Sequence, residues 1–262
     1  MTGDGVLFHA KHAFMPNNLG YCGPDENERI LHGLEKGVPG RGLVDSLQKF
    51  EAAYPFLRLI ARSTGREVFD YSVPEAYWIG NGLLRQIPLP EFYSFSHREL
   101  RGRDPIRTRE FFKHLDGSAV PHHTFYVMST FAASTAAGGK GPGSESLQKL
   151  AELIDSCRIS WGSVTRVGKK ELTVVARPMR FEDGLIAMGA PLRKRISFNP
   201  DVKPFSRVKP GDTVSIHWNY ACDVLSGRQV RNLSRFTSSD ITLVNRFLNS
   251  GTKGTEAKAG GR

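Results

Sequence analysis

The feature that most constrains the fold is a change in sequence period close to residue 157. From there on, short runs of β-branched and alternating apolar residues are separated by glycine and proline, a pattern typical of strands joined by tight turns. The predicted strands cover residues 159–167, 172–176, 185–189, 195–198 and 213–218. Because closure removes the unpaired edges of an open sheet, five strands of this length favour a small barrel.

The first half of the chain predicts helices instead. Proline or N-capping residues begin several of them, and Gly37 ends the first. The predicted helices cover residues 24–36, 43–62 with a kink or division at Pro55, 73–85, 108–115 and 147–154. The apolar stretch 120–133 shows no clear period, so helix and strand both remain open there.

These patterns predict an α+β chain of two domains. A mainly helical domain occupies residues 1–133, a flexible linker 134–146, a small β-barrel with C-terminal helices 147–250, and a disordered tail 251–262. The linker and tail assignments follow from their glycine, serine and lysine content. Serines capable of N-capping precede the two C-terminal helices, which are predicted over 227–236 and 238–248.

Hydropathy, cysteine content and charge indicate which classes of protein the chain can belong to. No apolar run approaches the roughly 18 residues of a membrane span, and the first twenty residues do not form a signal peptide. Three dispersed cysteines argue against a disulfide framework and favour the reducing cytoplasm. The net charge of +10 is compatible with nucleic acid, but its dispersion favours solvated surfaces or an acidic protein partner. The main basic groups are Arg98, Arg101, Arg103, Arg107 and Arg109, then Arg193, Lys194 and Arg195, then Lys253, Lys258 and Arg262.

Two motifs lie at opposite ends of the predicted barrel. The first is a cysteine followed by glycine five residues later and valine seven residues later; the second is a Gly-Asp turn, an alternating strand that ends in histidine, and a short link to a helix. Their residues are Cys157, Gly162 and Val164, then Gly211, Asp212, Val214, His217, Tyr220 and Ala221. In order and spacing, this third of the chain resembles the hydrogenase maturation chaperones of the HypC/HupF type.

The resemblance implies a HypC-like, OB-like barrel and a role in iron handling. It implies that Cys157 is an iron-binding thiolate supported by His217, with iron held as an Fe(CN)2CO group. The implied partners are the [NiFe]-hydrogenase large-subunit precursor and a maturation scaffold protein, with no membrane partner. The implied role is binding and delivery rather than catalysis. In that family the cysteine is N-terminal and a proline stands at the position of Trp161.

A second constellation lies in the helical part. It comprises His9, His12, Cys22, Asp25, Glu26, His122 and His123. His9 and His12 have the spacing of one helical face, whereas adjacent His122 and His123 would diverge on a strand. The spacing matches no zinc or P-loop motif. The stretch from His12 to Pro24 resembles an uncharacterised prokaryotic family, which implies no activity.

Two alternative functions remain open. A cysteine-dependent enzyme would use Cys22 or Cys157 as nucleophile and His122 or His123 as base, which requires a Cys–His pair within hydrogen-bonding reach. A nucleic-acid-binding barrel would stack bases on exposed aromatic side chains of one basic face. The candidate aromatic residues are Trp161, Phe205, Trp218 and Tyr220.

Overall fold

The computed structural model describes residues 3–99, 111, 113, 115–135 and 144–259. The helices are α1 (Gly3–Asn18), α2 (Asn27–Lys36), α3 (Arg41–Gln48), α4 (Tyr54–Thr64), α5 (Ser72–Trp78), α6 (Leu89–Glu99), α7 (His123–Thr135), α8 (Ser144–Cys157) and α9 (Gly227–Ala259). Short 3-10 turns lie at Gly82–Gln86 and Phe205–Arg207. The predicted α+β class with a small barrel is confirmed.

Glycine and proline end or divide helices where the sequence predicts it. Gly37 follows α2 with φ 63°, and its N–H bonds back to the carbonyls of Gly33 and Leu34, as in a left-handed C-cap. Pro55 lies in the first turn of α4 and separates it from α3, so the predicted division is confirmed. The helix predicted over 73–85 ends early, at Trp78, because the chain turns at Gly80 with φ 88°.

Several helical boundaries differ from the predictions. Helix α6 lies outside all of the predicted helices, and α7 resolves the open choice at 120–133 in favour of helix. Most of the predicted helix over 108–115 and of the predicted linker lies outside the described residues. The two predicted C-terminal helices are one, because the serines near residue 238 continue α9 rather than starting a new helix. Helix α9 runs on to Ala259, into the stretch predicted as a disordered tail.

Five strands close into a barrel in the order β1 (Ser160–Val167), β2 (Glu171–Ala176), β5 (Leu192–Ser197), β7 (Tyr220–Val224) and β6 (Thr213–His217). All neighbours are antiparallel except β5 and β7, which are parallel. A separate hairpin pairs β3 (Met179–Glu182) with β4 (Leu185–Met188). The predicted strand at 185–189 therefore belongs to this hairpin. The stretch holding Cys222, predicted as a link to a helix, forms β7.

A two-residue turn joins β6 to β7. Trp218 and Asn219 both have positive φ, 52° and 56°, which is the backbone of a hairpin turn that matches strand twist. The N–H of Trp218 donates to the carbonyl of Ser156 at 2.8 Å. This bond fixes the end of β6, at His217, against the end of α8.

The helical part and the barrel share one hydrophobic core. Helix α1 lies between them and contacts α5 on one side and β6 and β7 on the other. For example, the rings of Phe14 and Tyr220 pack edge to face at 5.6 Å. Among the described residues, none of the helices has both the length and the apolar character needed to cross a membrane.

Candidate metal centre

Three potential ligands meet where the helical part joins the barrel. His123 is the first residue of α7, Cys157 the last of α8, and His217 the last of β6. Their donor atoms all lie within 4.8 Å of one another. We call these three residues the His2Cys cluster. Each ligand stands at the end of a regular element, so the packing of three elements fixes the geometry.

His217 presents a buried nitrogen lone pair. Its side chain is 1% exposed, and Nδ1–H donates to the main-chain carbonyl of His12 at 2.7 Å. Because a carbonyl only accepts, this bond fixes the tautomer and leaves Nε2 unprotonated. Among the described residues, Nε2 has no hydrogen-bond partner. Burial lowers the pKa of His217 to about 4, against the opposing effect of nearby carbonyls, so the imidazole is neutral.

His123 is held at both nitrogens. Nε2 lies 2.9 Å from the carbonyl of Cys157, and Nδ1 lies 3.1 Å from Oη of Tyr77. The carbonyl must accept, so Nε2 carries the proton and the Tyr77 hydroxyl donates to Nδ1. For a metal ion to bind Nε2, the proton must move to Nδ1. The Nδ1–H group can then donate a hydrogen bond to Tyr77 Oη. Burial lowers the pKa of His123 well below its ordinary value.

Cys157 is the least enclosed member of the cluster. Its side chain is partly exposed, whereas both imidazoles are buried. The next residue, Arg158, is fully buried, and its guanidinium forms an ion pair with Asp155 at 2.6 Å. That pair compensates the arginine charge and joins the end of α8 to the start of β1. Of the three residues of the cluster, Cys157 is therefore the one that solvent reaches most readily.

Four histidines surround the indole of Trp78. Its ring centroid lies 5.5 Å from His9, 5.7 Å from His12, 4.6 Å from His123 and 5.7 Å from His217. Trp78 Nε1–H donates to Nδ1 of His9 at 2.8 Å. Burial lowers all four pKa values, that of His9 to about 3. The wall behind the His2Cys cluster is therefore aromatic and uncharged.

The structure brings together the two predicted metal ligands, Cys157 and His217, and adds His123. His122 lies elsewhere, because its Nδ1 faces a buried carboxylate of Asp240 at 3.4 Å. His122 and His123 thus diverge as predicted, although they do so at a helix start rather than on a strand. Sequence reasoning missed His123 as a third member of the cluster. Its signal was a His-His pair at the start of an apolar stretch.

The remaining predicted residues have other partners. Cys22 is partly buried, and its carbonyl accepts from Asn17 at 3.0 Å. The pKa of Tyr77 is raised chiefly by burial and further by Tyr126, Cys22 and Cys157. Glu26 binds Lys49 and Ser46, and Asp25 is exposed. Cys222 is buried in β7, and burial raises the pKa of its thiol.

The aromatic residues predicted to stack bases do not form one exposed face. Phe205 and Tyr220 are 3% and 7% exposed and pack in the core. Trp161 is partly buried against the same core. Trp218 stacks on Tyr21 at 4.2 Å with an interplanar angle of 14°. The prediction that all four form one base-stacking surface is therefore wrong, because two of them belong to the hydrophobic core.

Comparison with known proteins gives a family and no function. No curated protein and no solved structure matches the chain significantly. A family model described as "Family of unknown function (DUF6390)" matches residues 1–251, which include every residue of the cluster. The match runs through the helical part and the barrel together. The chain therefore belongs to this family of unknown function.

Proposed function

We propose that this protein binds a transition-metal ion through His123, Cys157 and His217. The observation that carries the proposal is the Nε2 atom of His217, which is buried, unprotonated and without a partner among the described residues. A buried polar atom without a partner costs about 1–3 kcal/mol, and a metal ion at that point would remove this cost. The neutral imidazoles that burial favours at His123 and His217 are also in the protonation state that metal ligation requires.

The donor set indicates which metals fit. One sulfur and two imidazole nitrogens suit iron, zinc or copper, whereas magnesium and calcium prefer oxygen ligands. The three residues leave further coordination positions for exogenous ligands, and Cys157, the partly exposed member of the cluster, marks the direction from which they would come. Such a site suits holding and transferring an ion, since a structural site is closed by protein ligands.

We further propose that the metal is iron and that the protein is a cytoplasmic accessory factor of [NiFe]-hydrogenase maturation. Three observations support this role. The two motifs that resemble the HypC/HupF type contribute Cys157 and His217 to one cluster. The barrel strands, counted without the β3–β4 hairpin, follow the order first, second, third, fifth, fourth, which suits an OB-like barrel. The cysteine lies at an accessible edge, where a large-subunit precursor or scaffold protein could reach the metal.

The test is anaerobic purification of the tagged full chain with an iron assay and infrared spectroscopy. Wild type should carry iron, and Cys157→Ala and His217→Ala should lose it. Cys222→Ala is the matched control, because it removes a thiol that lies in β7 outside the cluster. Equal iron in wild type and Cys157→Ala would refute the metal site, and no iron in wild type supplied with the metal would refute iron as its occupant.

The hydrogenase role has its own readout. Co-purification of a hydrogenase precursor or scaffold protein, with CN and CO stretching bands that disappear in Cys157→Ala, would support it. Iron bound with neither those bands nor such a partner would leave the metal site and remove the hydrogenase role.

A second candidate function is a cysteine-dependent enzyme with Cys157 and His123 as the pair. The observation that favours it is the short distance between their reactive atoms, within 4.8 Å. Cys22 and His122 are less suited, since His122 faces Asp240. Alkylation of metal-free protein by iodoacetamide tests it. Labelling of Cys157 that slows strongly in His123→Gln supports an activated thiol, and equal rates contradict it.

A further inference from the structure

A second candidate site lies beside α1, outside the His2Cys cluster. It is a cleft of about 610 Å3 between α1, the end of α2, β7 and the segment around Pro204. Its apolar wall includes Leu7, Phe8, Leu34 and Val202, and its polar wall includes Lys11, Tyr71 and Asp223. We call it the Lys11 cleft. Its volume lies in the range typical of small-molecule sites, about 300–1,000 Å3.

A nearly buried ion pair forms the floor of the cleft. Lys11 Nζ donates to Oδ2 of Asp223, and the two side chains are 14% and 11% exposed. The other carboxylate oxygen accepts from the N–H of Val224 at 2.9 Å. Both acceptor oxygens of Asp223 are therefore engaged, while an ammonium group has three donors. Lys11 keeps donors that Asp223 does not use.

Tyr71 adds another donor to the same wall. Its Oη accepts from Nε2 of Gln229 at 3.1 Å, and Gln229 is fixed in turn by Glu75 at 3.1 Å. Burial is the main reason that the pKa of Tyr71 rises to about 12, so the hydroxyl keeps its proton. With Gln229 on one lone pair, the O–H of Tyr71 can donate towards the cleft.

We propose that the Lys11 cleft binds a small organic anion, with its carboxylate or phosphate group on Lys11 and Tyr71 and its apolar body against Phe8 and Val202. The polar groups offer donors in excess of acceptors, which selects an anionic acceptor over a cation. Lys203 lies at the exposed rim and adds positive charge. The ring of Phe8 lies 5.6 Å from Lys11 Nζ, which fixes the ammonium over an apolar surface.

This inference does not depend on the metal site. The cleft residues Lys11, Tyr71 and Asp223 are not members of the His2Cys cluster. Loss of anion binding would therefore leave the metal proposal intact, and the reverse also holds.

The experiment is calorimetric titration of the full chain with benzoate and phenyl phosphate, with benzamide as the uncharged control. At least one of the two anions should bind. The anion with the lower Kd shows whether the cleft prefers a carboxylate or a phosphate group. Because Lys11→Met alone leaves Asp223 unpaired, the informative variant is Lys11→Met with Asp223→Asn, which removes both charges. Loss of a hydrogen bond to a charged group predicts about a tenfold rise in Kd for Tyr71→Phe, and a larger rise for the double variant.

Lys169→Met is the matched control, since Lys169 is exposed beyond the end of β1 and lies outside the cleft lining. Its Kd should equal that of wild type. The proposal is overturned if neither anion binds at millimolar concentration, if benzamide binds as tightly as benzoate, or if Lys169→Met weakens binding as much as the double variant.

Discussion

Lys11 and His12 are neighbours on α1 and lie in opposite kinds of environment. Lys11 lines a cleft, where its ammonium group pairs with Asp223. His12 lies in the aromatic wall behind the His2Cys cluster. Because burial lowers its pKa well below the ordinary value, its imidazole is neutral. The cleft thus pairs a nearly buried charge with an opposite charge, whereas the four histidines behind the cluster are buried as neutral imidazoles. A metal ion suits the region of neutral imidazoles, and an anion suits the cleft that contains Lys11.

The largest effect should come from breaking the pair in the cleft. Lys11→Met leaves the carboxylate of Asp223 buried without its partner, and removing one member of a buried pair costs about 3–5 kcal/mol. The free energy of unfolding in urea measures this loss. The double variant with Asp223→Asn should recover most of it. If the double variant is as unstable as the single one, the pair does not account for the stability of this region.

Acid should destabilise the metal region. The folded pKa of His217 is about 4, below its value of about 6.5 in an unfolded chain. Because the unfolded state binds the proton first, stability is complete above pH 6.5 and falls as the pH drops towards 4. At 1.36 kcal/mol per unit, this one group accounts for a loss of about 3 kcal/mol.

Urea unfolding between pH 7 and pH 4 measures this slope. His217→Gln should reduce the proton uptake on unfolding by about one, and the exposed His32→Gln serves as control. An unchanged slope in His217→Gln would contradict the assignment of a neutral, buried imidazole. Asp223, whose pKa burial raises, has the opposite sign, since its protonation favours the folded state in acid.

A smaller effect is expected from the residue behind His123. Tyr77→Phe removes the hydroxyl that fixes Nδ1 of His123. Loss of such an outer-shell partner lowers metal affinity about 10- to 100-fold. Competition with a chromophoric chelator measures the affinity for Co(II). Tyr54→Phe, in a partly buried tyrosine outside the cluster, should leave it unchanged. Equal affinities in wild type and Tyr77→Phe would contradict a role for Nδ1 orientation.

The smallest effect should come from the residue that joins the two regions. The hydroxyl of Ser215 donates to Nε2 of His12 at 3.1 Å and accepts from the N–H of Asp223 at 3.1 Å. Ser215→Ala should cost about 1–3 kcal/mol of stability. It should change both anion affinity and metal affinity less than tenfold. A large change in one and none in the other would show that the regions are independent.

The sequence predicted the parts of the site that depend on local patterns. Cys157 and His217 were recognisable because each belongs to a short motif at the end of a barrel strand or of the preceding helix. The division at Pro55 and the helix end at Gly37 follow from the backbone restrictions of single residues.

The features that the sequence did not predict depend mostly on contacts between distant parts of the chain. His123 reaches the cluster only because α7 begins beside the end of α8, and no spacing in the sequence reports that contact. Lys11 and Asp223 are 212 positions apart, so neither could be assigned a partner. The strand β7 was missed because its start directly follows a two-residue turn with a tryptophan at positive φ, a residue that rarely adopts this conformation.

The position of Trp78 makes its fluorescence a reporter of metal binding in the His2Cys cluster. Its indole lies within 6 Å of both imidazoles of the His2Cys cluster, and its N–H is fixed by His9. A paramagnetic ion in the cluster would quench its emission by proximity, whereas Trp218, stacked on Tyr21 at the surface turn, emits from different surroundings. The Trp78 emission, compared with that of Trp218 and Trp161, would therefore follow occupancy of the cluster in unlabelled protein, without any added dye.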